Sequence, residues 1–338
     1  MRCIKVPRDM AEQVREKLNR QGMVVKERCI LDRDEWILIP LHEGEVPAEF
    51  SKFELVEEDP APRETFRKPM RNIRGMLDLD DSLLSILPEK WEMLGNVIIF
   101  RLPAELEPYG PTIAEAYAKE LNAKAVVQEV GVISGVTRRP ATRLLYGTDT
   151  VTVHPEGGIF YKLDPTQVMF SSGNFEEKRR MAALDCRGET VVDMFAGIGY
   201  FTLPLAKRAH AKEVIACEIN PVSHRFLCDN VRLNGLDDVI RPVLGDNRDL
   251  PGERFADRVL MGYVGTTEQF LPKALQLVRP GGIVHYHDVA GVEEIPGKLL
   301  DAIRNACACR KYEVVGWHSI KSYGPCREHL VVDFRVLD

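Results

Sequence analysis

The residues best suited to chemistry sit at the ends of three successive apolar runs. The first run leads into Val192-Asp193-Met194-Phe195-Ala196-Gly197-Ile198-Gly199, where Gly197 and Gly199 let the backbone approach a ligand. The helix that follows would add unpaired N–H groups at its start. The second run ends in Ala216-Cys217-Glu218, placing a carboxylate where it can accept hydrogen bonds from both hydroxyls of a ribose. The third ends in Gly245-Asp246-Asn247, where a side chain can meet the amino group of adenine. Each alone is an ordinary turn or helix cap; together, and in this order, they describe a nucleoside site. A dinucleotide site would want a third glycine at position 202 for close helix–strand packing, and that position is Thr202.

These residues need a scaffold, and the pattern supplies one. From about residue 165 strand and helix signals alternate: Glu189 to Met194, Tyr200 to Ala209, Glu213 to Cys217, Pro221 to Asn234, Val239 to Leu244, Arg258 to Met261, Thr267 to Val278 and Gly282 to His287. This βαβ rhythm predicts an α/β fold with a parallel, Rossmann-like sheet that binds ligands at the carboxyl ends of its strands. Ahead of it, residues 87–164 read as an α+β domain. It has strands Asn96 to Phe100 and Ala125 to Glu129, a helix Thr112 to Leu121, and a hairpin turning at Glu156-Gly157-Gly158. Residues 56–86 are rich in proline and charge and read as a linker. Residues 1–55 form a small α/β unit, with a helix ending at Gly22 and strand-like stretches MVVKERCIL and EWILIPL. The expected domains are therefore 1–55, 56–86 (linker), 87–164 and 165–338.

The glycine loop, the acidic strand tip and the aspartate at the third strand end resemble the class I S-adenosylmethionine-dependent transferases. Phe170-Ser171-Ser172-Gly173-Asn174, followed by Glu176, Lys178 and Arg180, resembles the segment ahead of the cofactor domain in enzymes that modify the purine 3′ of the tRNA anticodon. Residues 1 to about 55 resemble the small extra domain of some members. Two chemistries share this scaffold. The guanine-N1 methyltransferases carry an Asn-Leu/Pro-Pro-type motif after the fourth strand; here the place reads Met261-Gly262-Tyr263-Val264-Gly265-Thr266. That resembles the wyosine branch, the aminocarboxypropyltransferases acting on 4-demethylwyosine of tRNA(Phe). The resemblance implies attack by carbon 7 of that base on the γ carbon of the methionine arm, with methylthioadenosine leaving. It implies cofactor binding by Ser171, Lys178, Asp193, Gly197, Gly199, Glu218, Asp246 and Asn247, with Lys178 facing the methionyl carboxylate. Gly262 and Gly265 are expected to make room for the arm, with Tyr263, and less so Phe170, flanking the base. No catalytic base is assigned.

The net charge of −6 argues against bulk attraction to nucleic acid, so the tRNA(Phe) anticodon stem-loop that the resemblance implies as partner is expected to be held by local clusters. Candidates are Arg63, Arg67, Lys68, Arg71 and Arg74, and then Arg138, Arg139 and Arg143, which would neutralise phosphates. The plain alternative for any of these, as for the charged run containing Lys178, is a solvated surface. The eight cysteines lack metal spacing and read as reduced, mostly buried thiols. His285 and His287 alternate beside Asp288 without completing a metal set, so no metal is expected. With no apolar run of about 20 residues and no signal-peptide core, a cytoplasmic protein is expected, with no membrane association and no obligate protein partner. Rival readings are the guanine-N1 methyltransferase, an NAD-dependent oxidoreductase and a non-catalytic RNA-binding module.

Overall fold

The computed structural model describes residues 1–33, 35–62, 69–131 and 140–338. The chain forms two compact units, Met1–Asn72 and Ile73–Asp338.

The first unit is an antiparallel sheet built from β1 (Arg2–Pro7), β2 (Leu31–Arg33), β3 (Trp36–Pro40) and β4 (Glu54–Glu57), in the order β2-β3-β1-β4. Helix α1 (Ala11–Arg20) lays Val14 and Leu18, one turn apart, onto Ile4, Val6 and Ile39. Gly22 follows it with φ of 70°, the left-handed conformation that ends many helices. Most of MVVKERCIL is not strand, and one of the two interior strands is β1, whose alternation is masked by its charged residues. Within the expected linker, α2 (Pro69–Gly75) and α3 (Asp81–Ser85) are helical.

The second unit begins with a four-stranded sheet in the order β5-β6-β7-β8, from β5 (Glu92–Leu94), β6 (Val97–Phe100), β7 (Ala125–Glu129) and β8 (Thr142–Tyr146). Helix α4 (Gly110–Leu121) covers it. The hairpin β9 (Thr152–Glu156) and β10 (Ile159–Leu163) turns at Gly157 and Gly158, both at positive φ, and α5 (Phe175–Ala182) follows. Then come β11 (Thr190–Asp193), α6 (Thr202–Lys207), β12 (Glu213–Glu218), α7 (Pro221–Leu233), β13 (Ile240–Leu244), β14 (Ala256–Met261), α8 (Leu271–Leu277), β15 (Val278–Gly291), α9 (Gly297–Ala306), β16 (Tyr312–Gly324) and β17 (Arg327–Val336). These strands form one sheet in the order β13-β12-β11-β14-β15-β17-β16.

The sheet is mixed rather than wholly parallel, because β17 runs antiparallel to both β15 and β16. Of the five parallel strands, β11, β12 and β14 are near-continuous apolar runs because both faces are covered. One core, including Phe201, Leu203, Val214 and Leu227, also takes in Leu94, Val97, Ile159 and Tyr161 from the preceding sheet and hairpin. The opposite core holds Val192, Ile215, Val259, Leu275 and Phe334. Strand order reverses between β11 and β14, so a crevice opens at their carboxyl ends, where the glycine loop sits.

Candidate active site

Each loop of the crevice is fixed by its own side chains. Asp193 ends β11 with no exposure; its carboxylate accepts the Thr202 hydroxyl proton at 2.7 Å and the Phe195 N–H at 3.2 Å. Burial raises its pKa to about 6 in spite of these donors. Asp193 thus ties the glycine loop to the start of α6, and Thr202, where a dinucleotide site would want glycine, serves that tie. The loop glycines answer to the fold: Gly197 has φ of 58° and Gly199 of 105°, and a Cβ on either would meet Tyr200 or Leu203 at 2.8 Å.

Glu218 ends β12 facing the same loop. One oxygen accepts the Gly197 N–H at 2.8 Å and the other the Asn220 N–H at 2.7 Å. Burial raises its pKa, and these backbone donors oppose the rise. Beyond β13, Asp246 is held by Arg248, at 2.9 Å to the backbone N–H and 2.6 Å to the guanidinium, which lowers its pKa. Asn247 is buried and donates to the Met194 carbonyl at 2.8 Å, while its Oδ1 is covered and has no hydrogen-bond partner. An orphaned acceptor beside the β11 and β12 tips fits a ligand with an amino group, and Glu218 fits a diol. Gly197, Glu218 and Asn247 thus lie around the same crevice, an arrangement able to hold a nucleoside, whereas Asp193 sits behind the glycine loop and Asp246 is paired with Arg248.

Lys178 departs from the solvated-surface alternative. It is 4% exposed, its Nζ lies 2.7 Å from a Glu156 oxygen, and it faces the Phe170 ring at 4.2 Å, Tyr200 at 5.4 Å and Tyr161 at 5.6 Å. Burial outweighs the ion pair and lowers the ammonium pKa. Phe170 belongs to this cage and is buried, so it is not placed to flank a base. Ser171 starts the single helical turn 172–174 that leads into α5.

At the β14 tip, Tyr263 stacks on Phe195 with ring centroids 5.2 Å apart and planes at 17°. The space above Gly262 is filled by the Phe201 ring, 2.8 Å from where a Cβ would stand, so Gly262 makes room for Phe201 and not for a ligand arm. Gly265 is different: its φ is 108°, no atom lies within 4 Å of an added Cβ, and its N–H donates to buried Asp288 at 2.8 Å.

His285 and His287 are links in a buried polar network. Arg258 pairs with Glu189 at 2.8 Å and contacts His285 Nε2 at 2.8 Å; His285 Nδ1 reaches Asp333 at 2.6 Å; Asp333 meets Arg180 at 2.5 Å. Arg180 also grips Glu177 with two nitrogens, at 2.7 and 2.8 Å, and Glu177 holds His318 at 3.0 Å. His287, fully buried, contacts His329 at 3.2 Å and stacks on Phe201. Sequence reasoning missed Glu177 and Asp333, because His318, which joins Glu177, and Arg180 and His285, which join Asp333, are far away in the chain.

Of the RNA candidates, Arg63, Arg67, Lys68, Arg138 and Arg139 lie outside the described residues. Arg71 is exposed on α2. Arg74 is engaged with Glu89 at 2.9 Å and the Leu84 carbonyl at 3.3 Å, and Arg143 with Gln128 at 2.8 Å and Glu107 at 3.4 Å. Cys3, Cys186, Cys217 and Cys307 are buried, but Cys309 and Cys326 are exposed. Among the described residues no helix is long and apolar enough to cross a membrane.

Three family models match in series: a tRNA methyltransferase 5 N-terminal domain over residues 3–49, a TYW2 N-terminal domain over 73–150, and the TRM5/TYW2 methyltransferase domain over 152–315. A curated Pyrococcus horikoshii protein, tRNA(Phe) (4-demethylwyosine(37)-C(7)) aminocarboxypropyltransferase, is 44% identical over 261 residues, covering 77% of this chain and 93% of that one. The crystal structure of P. horikoshii TYW2 in complex with MeSAdo superposes with a TM-score of 0.73 at 41% identity, covering 79% of this chain and 99% of that one. The crystal structure of Trm5b from Pyrococcus abyssi covers all of both chains, at 31% identity and a TM-score of 0.71.

Proposed function

Since the chain belongs to the TRM5/TYW2 family, we propose that it transfers the 3-amino-3-carboxypropyl group of S-adenosylmethionine to carbon 7 of 4-demethylwyosine in tRNA(Phe). The observation that carries this reading is the 44% identity to the Pyrococcus horikoshii aminocarboxypropyltransferase over nearly all of that protein's length. Bound S-adenosylmethionine would supply a sulfonium whose γ carbon takes an electron pair from carbon 7 of the base; methylthioadenosine leaves with the C–S electron pair, and carbon 7 then gives up its proton to solvent as the ring regains its conjugation.

The protein's part is to bind and orient. Glu218 takes the ribose hydroxyls, exchanging its backbone donors for the diol. Asn247 Oδ1 accepts from the adenine amino group. Gly265 and buried Asp288 fix the loop after β14, and Tyr263 offers a ring on which the target base stacks. Holding the base carbon about 3–3.5 Å from the γ carbon, in line with the C–S bond, selects that carbon over the methyl. Arg71, together with Arg63, Arg67, Lys68, Arg138 and Arg139, holds phosphates of the anticodon stem-loop. The setting is the cytoplasm, where the tRNA is found, and no obligate protein partner is needed.

A second reading, guanine-N1 methylation at the same position, is favoured by one observation: the match to Trm5b extends through the first unit. One experiment separates the two. S-adenosylmethionine labelled on its methyl or on its carboxyl carbon is offered with tRNA(Phe) carrying the tricyclic precursor, and with unmodified transcript. Carboxyl label should enter the precursor tRNA with release of methylthioadenosine. Methyl label entering the unmodified transcript would overturn the reading.

A further inference from the structure

Under the function proposed above, the transferred group is an amino acid, with an ammonium and a carboxylate on the carbon next to its chain. The adenosine cradle does nothing for either charge. A different cluster lies at the end of the glycine loop, where Tyr200 follows Gly199 and closes the cage around Lys178. Into this cluster the preceding sheet sends Glu92 of β5. Its Oε1 is covered and has no hydrogen-bond partner. Burial raises its pKa; Glu129 and Glu156 push the same way, while Lys178 and a hydrogen bond from Ser172 oppose them. Glu129 is already paired with Arg101 at 2.8 Å. Two residues after Ser172, on the same helical turn, Asn174 Oδ1 is likewise covered and without a partner.

The charge balance is the argument. Two carboxylates, Glu92 and Glu156, share one ammonium, and Lys178 is committed to Glu156 at 2.7 Å. A covered carboxylate oxygen without a donor is costly, and the missing partner is a cation. Donors from a neutral ligand would satisfy the oxygen but not the charge. We propose that Glu92 binds the α-ammonium of the methionine arm of S-adenosylmethionine, with Asn174 Oδ1 as a second acceptor. The arm's ammonium then gives Glu92 the cation that Lys178, committed to Glu156, does not. Glu92 thereby anchors the far end of the arm, which is the end that leaves with the product.

Calorimetric titration of the full chain tests this with two probes. S-adenosylmethionine carries the arm, and methylthioadenosine lacks it. Glu92→Gln should weaken S-adenosylmethionine about 10- to 100-fold, the usual range for losing a hydrogen bond to a charged group. Methylthioadenosine affinity should stay unchanged, which also verifies the fold. Glu92→Asp, keeping the charge, should lose less. Unchanged S-adenosylmethionine affinity in Glu92→Gln would overturn the role, and so would an equal loss for both probes. Wild-type protein that binds neither probe would overturn the proposed function itself, and the role of Glu92 with it.

Discussion

Burial moves Asp193 and His287 in opposite directions relative to water, and the consequences for stability have opposite signs. The Asp193 carboxyl is raised from 3.8 to about 6, so between these values the folded state holds a proton that the unfolded chain has released. Its contribution is complete at low pH and is lost as pH rises through about 6. His287 is lowered from 6.5 to about 4 by burial, so in that window the unfolded chain binds the extra proton. Its neutral burial is free of penalty above 6.5 and costs stability as pH falls toward about 4. The two effects oppose each other over much of the same range. Thermal melts at about pH 7 and about pH 5 should therefore show a smaller acid loss in His287→Gln than in wild type, and a larger one in Asp193→Asn. If His287→Gln kept the wild-type slope, the histidine would not be buried neutral.

At the scale of elements, the chain Glu189–Arg258–His285–Asp333–Arg180–Glu177–His318 links β14, β15, β17, α5 and β16. Arg180 is its hinge, because both Glu177 and Asp333 depend on it; Glu177 is held at about 2 by Arg180 and His318 despite burial. Arg180→Met would leave two carboxylates without their cation and should cost about 3–5 kcal/mol in urea denaturation. Arg179→Met, which breaks only the exposed pair with Glu176, should leave the midpoint unmoved. An equal effect of the two would mean the network is not structural. None of this network was legible in the sequence, where His285, His287 and Asp288 stood out as a metal-like group and Asp333 did not stand out at all. What was legible was local. β7 and β12 follow from apolar β-branched runs, α7 from its periodicity, and the glycine loop from its composition. β16 was missed because it is an edge strand with most residues exposed, so it has no one-sided pattern. Glu92 was missed because a single acid in a three-residue strand carries no signal until the fold sets it beside Lys178.

The molecule as a whole joins two units that different relatives share unequally. The proposed binding residues for S-adenosylmethionine all belong to Ile73–Asp338, which has its own cores on both faces of its sheet. The Pyrococcus aminocarboxypropyltransferase is almost fully covered while matching about three-quarters of this chain, whereas Trm5b matches it from end to end. On the function proposed above, the binding residues all lie in the second unit, and a role for the first is sought elsewhere. Bulk charge is not that role: residues 1–72 carry 14 basic and 15 acidic side chains, so the unit has no net attraction for phosphate. It can still add a second, local grip on the same tRNA, and a tethered second contact raises affinity without touching the first. A protein starting at Pro69, which keeps α2 whole, should bind S-adenosylmethionine as tightly as the full chain. Its kcat on saturating tRNA should stay within about twofold, while KM for tRNA rises about tenfold or more. Because Arg63, Arg67 and Lys68 are removed with the first unit, the dependence of KM on salt should also become shallower. A fall in kcat matching the rise in KM would instead mean that the first unit shapes the reacting geometry.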